Sequence, residues 1–265
     1  MTKEGTPDIV GSGSSYYASM NEQQYAAKIN TPAKSPEYFN QFHKPMLERL
    51  KQKFGIPIGV LDVACGPAFE LEFFTNDPDA ILFASDISPD ILPQVQARLP
   101  DAHLFAMDAS KSVLADNIVE MGMLVNAMIY VPADMLKTMY GALKPGGEAA
   151  LNFRVFNNPH NKAFYDYYTT HGGVITEKPY TIETPEGSKT FTVQVLDYTA
   201  CVKDDGTPDT DIRQLGEQMY FENIEDVQAL LDSSGFEVVE HSLFNFASPV
   251  NPDNQVDVFV LKKPE

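Results

Sequence analysis

The segment that most constrains the fold is residues 60–70, VLDVACGPAFE, in which a short apolar run passes directly into a turn of small residues. This order predicts a buried β-strand, a tight turn and then a helix, so that a nucleotide-like ligand can approach the backbone at the turn. A second apolar run ends at Asp86, 24 residues after Asp62. An acid about 20 residues past such a turn is where a βαβ unit binds a ribose. The two runs together predict one unit of a parallel α/β sheet.

Further apolar runs extend this sheet. We predict its first five strands at about 58–64, 81–85, 102–107, 118–125 and 147–154, the last after a sharp turn at 143–147. These runs are continuous rather than alternating, as expected when helices cover both faces of a parallel sheet. Two final runs, at about 236–244 and 256–262, predict a terminal antiparallel pair.

The remaining segments divide the chain into parts. Ser35 and Pro36 predict the start of a helix that runs to Gly55. A second helix is predicted over Ile224–Ser233 and ends at Gly235. Between strands five and six we predict a helix from Lys162 to Thr170, and strands at 189–203 and 211–221 joined by a turn at 204–208. The expected parts are a helical N-terminal lid at 1–55, a core at 56–155 and 222–265, and a substrate-binding insert at 156–221.

Composition excludes several classes of partner. The chain has 37 acidic and 19 basic residues, and its formal charge of −18 repels nucleic-acid phosphates and anionic lipid surfaces. We therefore expect neither a nucleic-acid nor a membrane partner. Two distant cysteines and an N-terminus without an apolar signal segment favour a cytoplasmic location. Because no His, Asp or Glu group has metal-ligand spacing, no metal is predicted, and the pattern predicts no oligomeric state.

These motifs resemble those of the class I S-adenosylmethionine-dependent methyltransferases over residues 56–155 and 222–262. The matching segments are 60–68, Asp86 with Ile87, 106–109, 124–130 and 143–148. The resemblance implies a doubly wound, Rossmann-like seven-stranded α/β sheet with an antiparallel last strand, an N-terminal helical lid and a β-rich insert after strand five. A nicotinamide or flavin domain is less consistent with the sequence, because the turn lacks an intact GxGxxG and a terminal antiparallel pair follows.

The resemblance also implies a cofactor, S-adenosylmethionine (SAM), and the residues that bind it. Asp86 would accept the ribose hydroxyls, Ile87 would contact the adenine and Asp108 would meet its amino group. The predicted cofactor-binding residues are Asp62, Ala64, Cys65, Gly66, Asp86, Ile87, Asp108, Ala109, Asn126 and Tyr25. Alanines 64 and 68 stand where the family has glycines, and an alanine at positive φ costs about 1 kcal/mol. We therefore expect only Gly66 to hold an unusual backbone angle.

The acceptor side is predicted from fewer signals. Substrate contacts are expected from Tyr16, Tyr17, Tyr130 and Arg154, and His160 is the candidate general base because it follows strand five. Structural alternatives stay open for several of these residues. His160 is also consistent with an exposed loop, Arg154 with neutralising a nearby acid, Asp62 with capping the turn, Cys65 with a small buried residue, and the N-terminal tyrosines with ordinary packing.

The implied reaction transfers the methyl group of SAM to an O, N or C atom of a small molecule. It is an in-line displacement at the sulfonium that leaves S-adenosylhomocysteine (SAH), so positioning contributes most of the catalysis. One alternative is a non-methylating enzyme of the same fold that uses the bound cofactor structurally or electrostatically. Another is a non-catalytic partner protein that binds the cofactor, to which the two missing glycines point.

Overall fold

The structure is a computed structural model that describes residues 32–111, 114–184, 186–213, 215–248 and 251–265. Its main sheet has seven strands: β1 (Ile58–Val63), β2 (Ala80–Asp86), β3 (His103–Ala106), β4 (Val119–Leu124), β5 (Leu143–Phe153), β9 (Glu237–Phe246) and β10 (Asn254–Lys262). The strand order is β3-β2-β1-β4-β5-β10-β9. The first five strands are parallel, and β10 is antiparallel to both of its neighbours. The predicted seven-stranded fold is confirmed.

Helices cover both faces of this sheet. They are α1 (Lys44–Phe54), α2 (Leu92–Arg98), α3 (Pro132–Ala142) and α6 (Ile224–Ser233), and α1 continues Pro36–Tyr38 through a π-helical turn, Phe39–His43. Two further helices, α4 (Lys162–Thr170) and α5 (Thr210–Arg213), belong to the insert. Alternate residues of β1 enter different cores: Val60 packs with α1 and α2, whereas Leu61 packs with α3 and α6. A strand buried on both faces must be apolar throughout, which explains the continuous runs in the sequence.

Short polar signals set the helix ends as predicted. The Ser35 hydroxyl accepts a hydrogen bond from the Tyr38 N–H at 3.1 Å, and Gly55 ends α1 with φ of 79°. Helix α6 begins and ends at the predicted residues and is followed by Gly235, whose φ is 83°. Among the helices in the described ranges, none combines the length and the apolar character needed to span a bilayer.

The insert differs from the prediction in its strand pairing. It holds an antiparallel sheet of β6 (Val174–Thr184), β7 (Gly187–Asp197) and β8 (Glu217–Phe221) in that order. The tight hairpin joins β6 to β7, whereas residues 204–208 form a turn that leads into α5. Strand β6 escaped prediction because its charges and Pro179 hide the alternation, although proline is tolerated on an edge strand.

Residues 143–147, predicted as a turn, are part of β5. Val119 of β4 pairs with Leu143 but Met121 pairs with Glu148, so the Lys-Pro-Gly-Gly segment is an irregular stretch within the strand. Gly146 adopts φ of 75° there. A bulge accommodates the proline and the glycines because it relieves the ladder of regular hydrogen bonds.

One face of the insert sheet joins the main core and so lies against the carboxyl ends of β4 and β5. The rings of Phe221 and Phe153 pack edge to face with centroids 5.8 Å apart. The Met219 N–H donates to the Ile129 carbonyl, just after β4, at 2.9 Å. The opposite face of β7 and β8 packs against α4. The insert therefore borders the sheet edge where ligands of open α/β folds bind.

Candidate cofactor and acceptor site

The loop after β1 adopts a left-handed conformation at three residues. The φ angles are 57° at Ala64, 50° at Gly66 and 54° at Ala68. The prediction that only Gly66 would have an unusual angle was wrong. Each left-handed alanine costs about 1–2 kcal/mol, and such strain persists only where the surrounding structure imposes it. Hydrogen bonds from the Cys65 N–H to Ser85 and from the Ala68 N–H to Cys65 hold the loop in this shape.

Asp86 joins this loop to the end of β2. Its Oδ2 accepts from the Gly66 N–H at 2.8 Å and its Oδ1 accepts from the Ser88 N–H at 2.9 Å. The residue is 6% exposed, and burial raises the pKa of its carboxyl group although the backbone bonds oppose the rise. Each carboxylate oxygen has a further lone pair. Asp86 thus orders the loop and can still accept hydrogen bonds from a ligand.

Asp62 is a buried acid of this site whose hydrogen bonding is incomplete among the described residues. It is 1% exposed, and its Oδ2 has no hydrogen-bond partner in the described part of the chain. Burial raises the pKa of its carboxyl group well above the usual value, and the charges of Glu70 and Asp86 add to the rise. A buried carboxyl group without a partner is costly. A cationic ligand at this position would remove that cost.

Glu70 completes a group of three buried acids around the loop, and sequence reasoning missed it. Burial raises its pKa to about 7, although Arg98 and Lys34 oppose the rise. Arg98 braces the outer side of the loop, since it donates to the Pro67 carbonyl and forms an ion pair with Glu72. No sequence signal separates buried Glu70 from the more exposed Glu72, because both lie in the same short 3₁₀ helix, Phe69–Phe74.

The predicted adenine-side residues lie at the ends of β2 and β3. Ile87 is 42% exposed, as an apolar ligand contact requires. Asp108 accepts from the Ser110 N–H at 2.9 Å and pairs with Lys111 at 2.9 Å. Burial alone would raise the pKa of Asp108, but bonds from Ser110 and Lys111 outweigh it and lower the pKa. Ala109 is buried, and its carbonyl accepts from Thr138.

At the ends of β4 and β5 the structure pairs two asparagines. Asn126 adopts φ of 58°, its N–H donates to the Asn152 Oδ1 at 2.6 Å, and the Asn152 amide donates back at 3.2 Å. This pairing fixes the turn that follows β4. Asn152 was missed because a polar residue inside an apolar strand gives no sign of its partner.

Tyr130 lies on the same edge and is bonded to the insert. Its hydroxyl accepts from the Gln218 amide at 3.3 Å. The Tyr220 hydroxyl donates to the Gln218 Oε1 at 2.8 Å and lies 3.0 Å from the Tyr198 hydroxyl. The insert residues of this network were also missed, since only folding brings β8 beside the loop after β4.

The other predicted acceptor-side residues have different surroundings. Arg154 directly follows β5, is partly buried, and stacks its guanidinium 3.9 Å from the Phe164 ring centroid. His160 is exposed in the turn Pro159–Asn161, and its ring makes no hydrogen bond to a described residue. Tyr16, Tyr17 and Tyr25 lie outside the described residues. No three His, Cys, Asp or Glu side chains of the described ranges are grouped to hold a metal ion.

These observations define a class of site. A strained loop, an acid at the end of β2 and a buried carboxyl oxygen without a partner among the described residues suit a nucleoside cofactor that carries positive charge. The chemistry of this donor set fits SAM, which presents ribose hydroxyls, an adenine amino group and a cationic sulfonium. It does not suit a pyrophosphate, since three buried acids face the loop.

Comparison with known proteins agrees with this class. Residues 60–147 match the family model of the methyltransferase domain. The fold is shared with a SAM-dependent methyltransferase from Methanosarcina mazei at 15% identity, a TM-score of 0.56, and coverage of 82% of this chain and 97% of that chain. The N-methyltransferase NodS from Bradyrhizobium japonicum is 14% identical, with a TM-score of 0.53 and coverage of 96% and 99%. No curated protein matches the chain.

Residues 60–147 therefore match a methyltransferase domain, and the chain has the fold of SAM-dependent methyltransferases. The predicted family, enzyme class and cofactor are confirmed. The individual site residues stay predictions.

Proposed function

We propose that this protein transfers the methyl group of SAM to an O, N or C nucleophile of a small molecule. The observation that carries the proposal is the buried Asp62 Oδ2, which lacks a partner in the described chain beside two further buried acids, Glu70 and Asp86. When bound, SAM supplies an electrophilic methyl group on a cationic sulfur. The acids would stabilise that charge, and Asp86 would hold the ribose hydroxyls.

The acceptor would bind between the end of β5 and the insert. Residues 156–221 border this edge with aromatic side chains from α4 and β8, which suits a small molecule better than a polymer. A formal charge of −18 disfavours nucleic acids. A protein of the same fold from Burkholderia thailandensis, 13% identical with a TM-score of 0.50, binds 1,6-didemethyltoxoflavin and SAH.

Positioning is the main catalytic contribution that we propose for the chain. The Asn126–Asn152 pair holds the loop after β4 rigidly, so that acceptor and methyl group meet in line. His160 stays the candidate base for an acceptor that must lose a proton. We also propose that residues 1–55 form the lid, that residues 56–155 and 222–265 form the core, and that the enzyme is cytoplasmic, as two free cysteines favour.

The test is SAH formation from SAM with a panel of small-molecule acceptors, followed by mass spectrometry of the methylated product. Asp86→Ala should weaken cofactor binding by about 1–3 kcal/mol, because it removes a buried hydrogen-bonded group. Asp257→Asn is the control, since Asp257 is a buried carboxyl group that pairs with His241 away from the loop. Turnover of an acceptor without SAH, or unchanged cofactor affinity in Asp86→Ala, would contradict the proposal.

A further inference from the structure

Among the described residues of this strongly acidic protein, Arg154 is a cation without an acidic partner. The chain has 37 acidic residues, yet no described carboxylate forms an ion pair with Arg154. The neighbouring base on α4, Lys162, is paired with Asp166. The alternative that Arg154 neutralises a nearby acid therefore has no support among the described residues. Its charge is left for a ligand.

The surroundings of Arg154 are aromatic, and its side chain is partly buried. The guanidinium lies 3.9 Å from the ring centroid of Phe164 and 5.8 Å from that of Phe246. Guanidinium groups are weakly hydrated and stack on aromatic faces while their N–H edges stay free to donate. The planar faces of the Arg154 guanidinium are thus covered by aromatic rings, whereas its N–H groups can donate hydrogen bonds to a planar anion.

A buried tyrosine hydroxyl near Arg154 also points to an anionic ligand. Tyr165 is 4% exposed, and its hydroxyl has no hydrogen-bond partner in the described part of the chain. The nearby hydroxyls of Tyr198 and Tyr220 bond to each other. Tyr165 packs edge to face on Phe164, the ring on which the Arg154 guanidinium stacks, with ring centroids 5.3 Å apart. Burial raises the pKa of Tyr165, so its phenol is neutral. It can donate to an acceptor atom that Arg154 also binds.

We infer that the acceptor carries a carboxylate, bound by the Arg154 guanidinium and the Tyr165 hydroxyl. This inference rests on the proposed function and names its substrate class. One guanidinium matches the two oxygens of a carboxylate in a bidentate pair, and one neutral hydroxyl adds a third bond. A phosphate dianion fits less well, because the described residues offer no second unpaired base here.

A carboxylate has two sources in this reaction, since the methionine part of SAM carries one as well. The position of Arg154 favours the acceptor as the source of the carboxylate. Arg154 follows β5 and stacks on Phe164 of α4, on the insert side. Asp62 and Asp86 lie at the ends of β1 and β2, on the other side of β4. The surrounding rings of Phe156, Phe164 and Tyr165 further suit a flat, apolar acceptor body.

The experiment uses matched probes on the full chain saturated with SAH. Binding of benzoate, 4-hydroxybenzoate and indole-3-acetate is compared with binding of their uncharged amides by ligand-observed NMR. Wild type should bind at least one carboxylate about tenfold or more tightly than its amide. Arg154→Met should abolish this preference, and Tyr165→Phe should reduce it severalfold. Lys162→Met removes a nearby exposed charge and should keep it.

The SAH titration of each variant identifies the source of the carboxylate, and circular dichroism of the same sample reports folding independently. Arg154→Met should bind SAH as wild type does, and so should Arg154→Lys. Loss of SAH affinity in a folded Arg154→Met protein would assign the guanidinium to the cofactor and overturn the inference. Equal or undetectable binding of every carboxylate and amide by SAH-loaded wild type would overturn it as well. If wild type did not bind SAH at all, the proposed function itself would fail.

Discussion

Replacing Asp62 with asparagine should stabilise the protein at pH 8 and weaken its binding of SAM. The two effects have one cause, the buried Oδ2 that lacks a partner in the described chain. Asparagine has almost the same shape but no charge, so it removes the cost of burying an ion. It also removes the attraction for a cationic ligand.

The magnitude follows from the bonding state of this carboxyl group. An unsatisfied buried polar group costs about 1–3 kcal/mol, and the amide retains part of that cost, so we expect a gain of about 1 kcal/mol in unfolding free energy at pH 8. Because the folded pKa is raised, stability contributed by the protonated acid is present at low pH and is lost as pH rises through that pKa. The gain should therefore vanish near pH 4, where wild-type Asp62 is protonated. Loss of a charge-assisted contact should weaken SAM binding by about 1.5–3 kcal/mol.

The assay pairs urea unfolding of the ligand-free protein at several pH values with calorimetric titration of SAM and SAH. Asp257→Asn is again the matched control, since burial also raises the pKa of Asp257. It should change stability without changing cofactor affinity. If Asp62→Asn lowered stability at pH 8 and left both affinities intact, Asp62 would be a structural cap of the turn and not a cofactor-binding residue.

Four further variants test the loop and the core. Because the pKa of Glu70 is raised, the unfolding free energy of wild type should decrease as the pH rises from about 4.5 through 7, by at most about 3 kcal/mol. Glu70→Gln should remove this decrease. Equal changes in unfolding free energy between pH 5 and pH 8 in both proteins would contradict this. Ala64→Gly should raise stability by about 0.5 kcal/mol in urea unfolding, since relief of left-handed strain exceeds the added unfolded-state entropy; Ala68→Gly should not, because it also loses a fully buried methyl group. Gly122→Ala should lower the unfolding free energy by about 1–3 kcal/mol, because a Cβ there would collide with the Met139 thioether, and an unchanged melting temperature would contradict this.

The core of the fold could be predicted because its signals are local. Each strand of the parallel sheet is a continuous apolar run, since both of its faces are covered, and Gly55 and Gly235 mark helix ends through positive φ angles. Asp86 could be predicted because its distance from the turn is set by one βα unit. Such features depend on neighbours in sequence, so they can be predicted without knowledge of the tertiary structure.

The missed features depend on contacts between distant segments. The left-handed angles of Ala64 and Ala68 contradict local preference, and only the bonds from the loop to β2 and within the loop impose them. Glu70 resembles any exposed acid until folding buries it. The hydrogen bond between Tyr130 and Gln218 forms only when the insert packs against the sheet edge. The same packing buries the Tyr165 hydroxyl without a partner among the described residues.

Binding of SAM by the loop and its acids is tested most directly by calorimetric titration of the full chain with SAM and SAH, with NAD⁺ as a control ligand. We expect one site per chain with micromolar affinity for both SAM and SAH, and no binding of NAD⁺, whose pyrophosphate would face the three buried acids. Binding of NAD⁺ in preference to SAM, or no binding of SAM and SAH at millimolar concentrations, would contradict it.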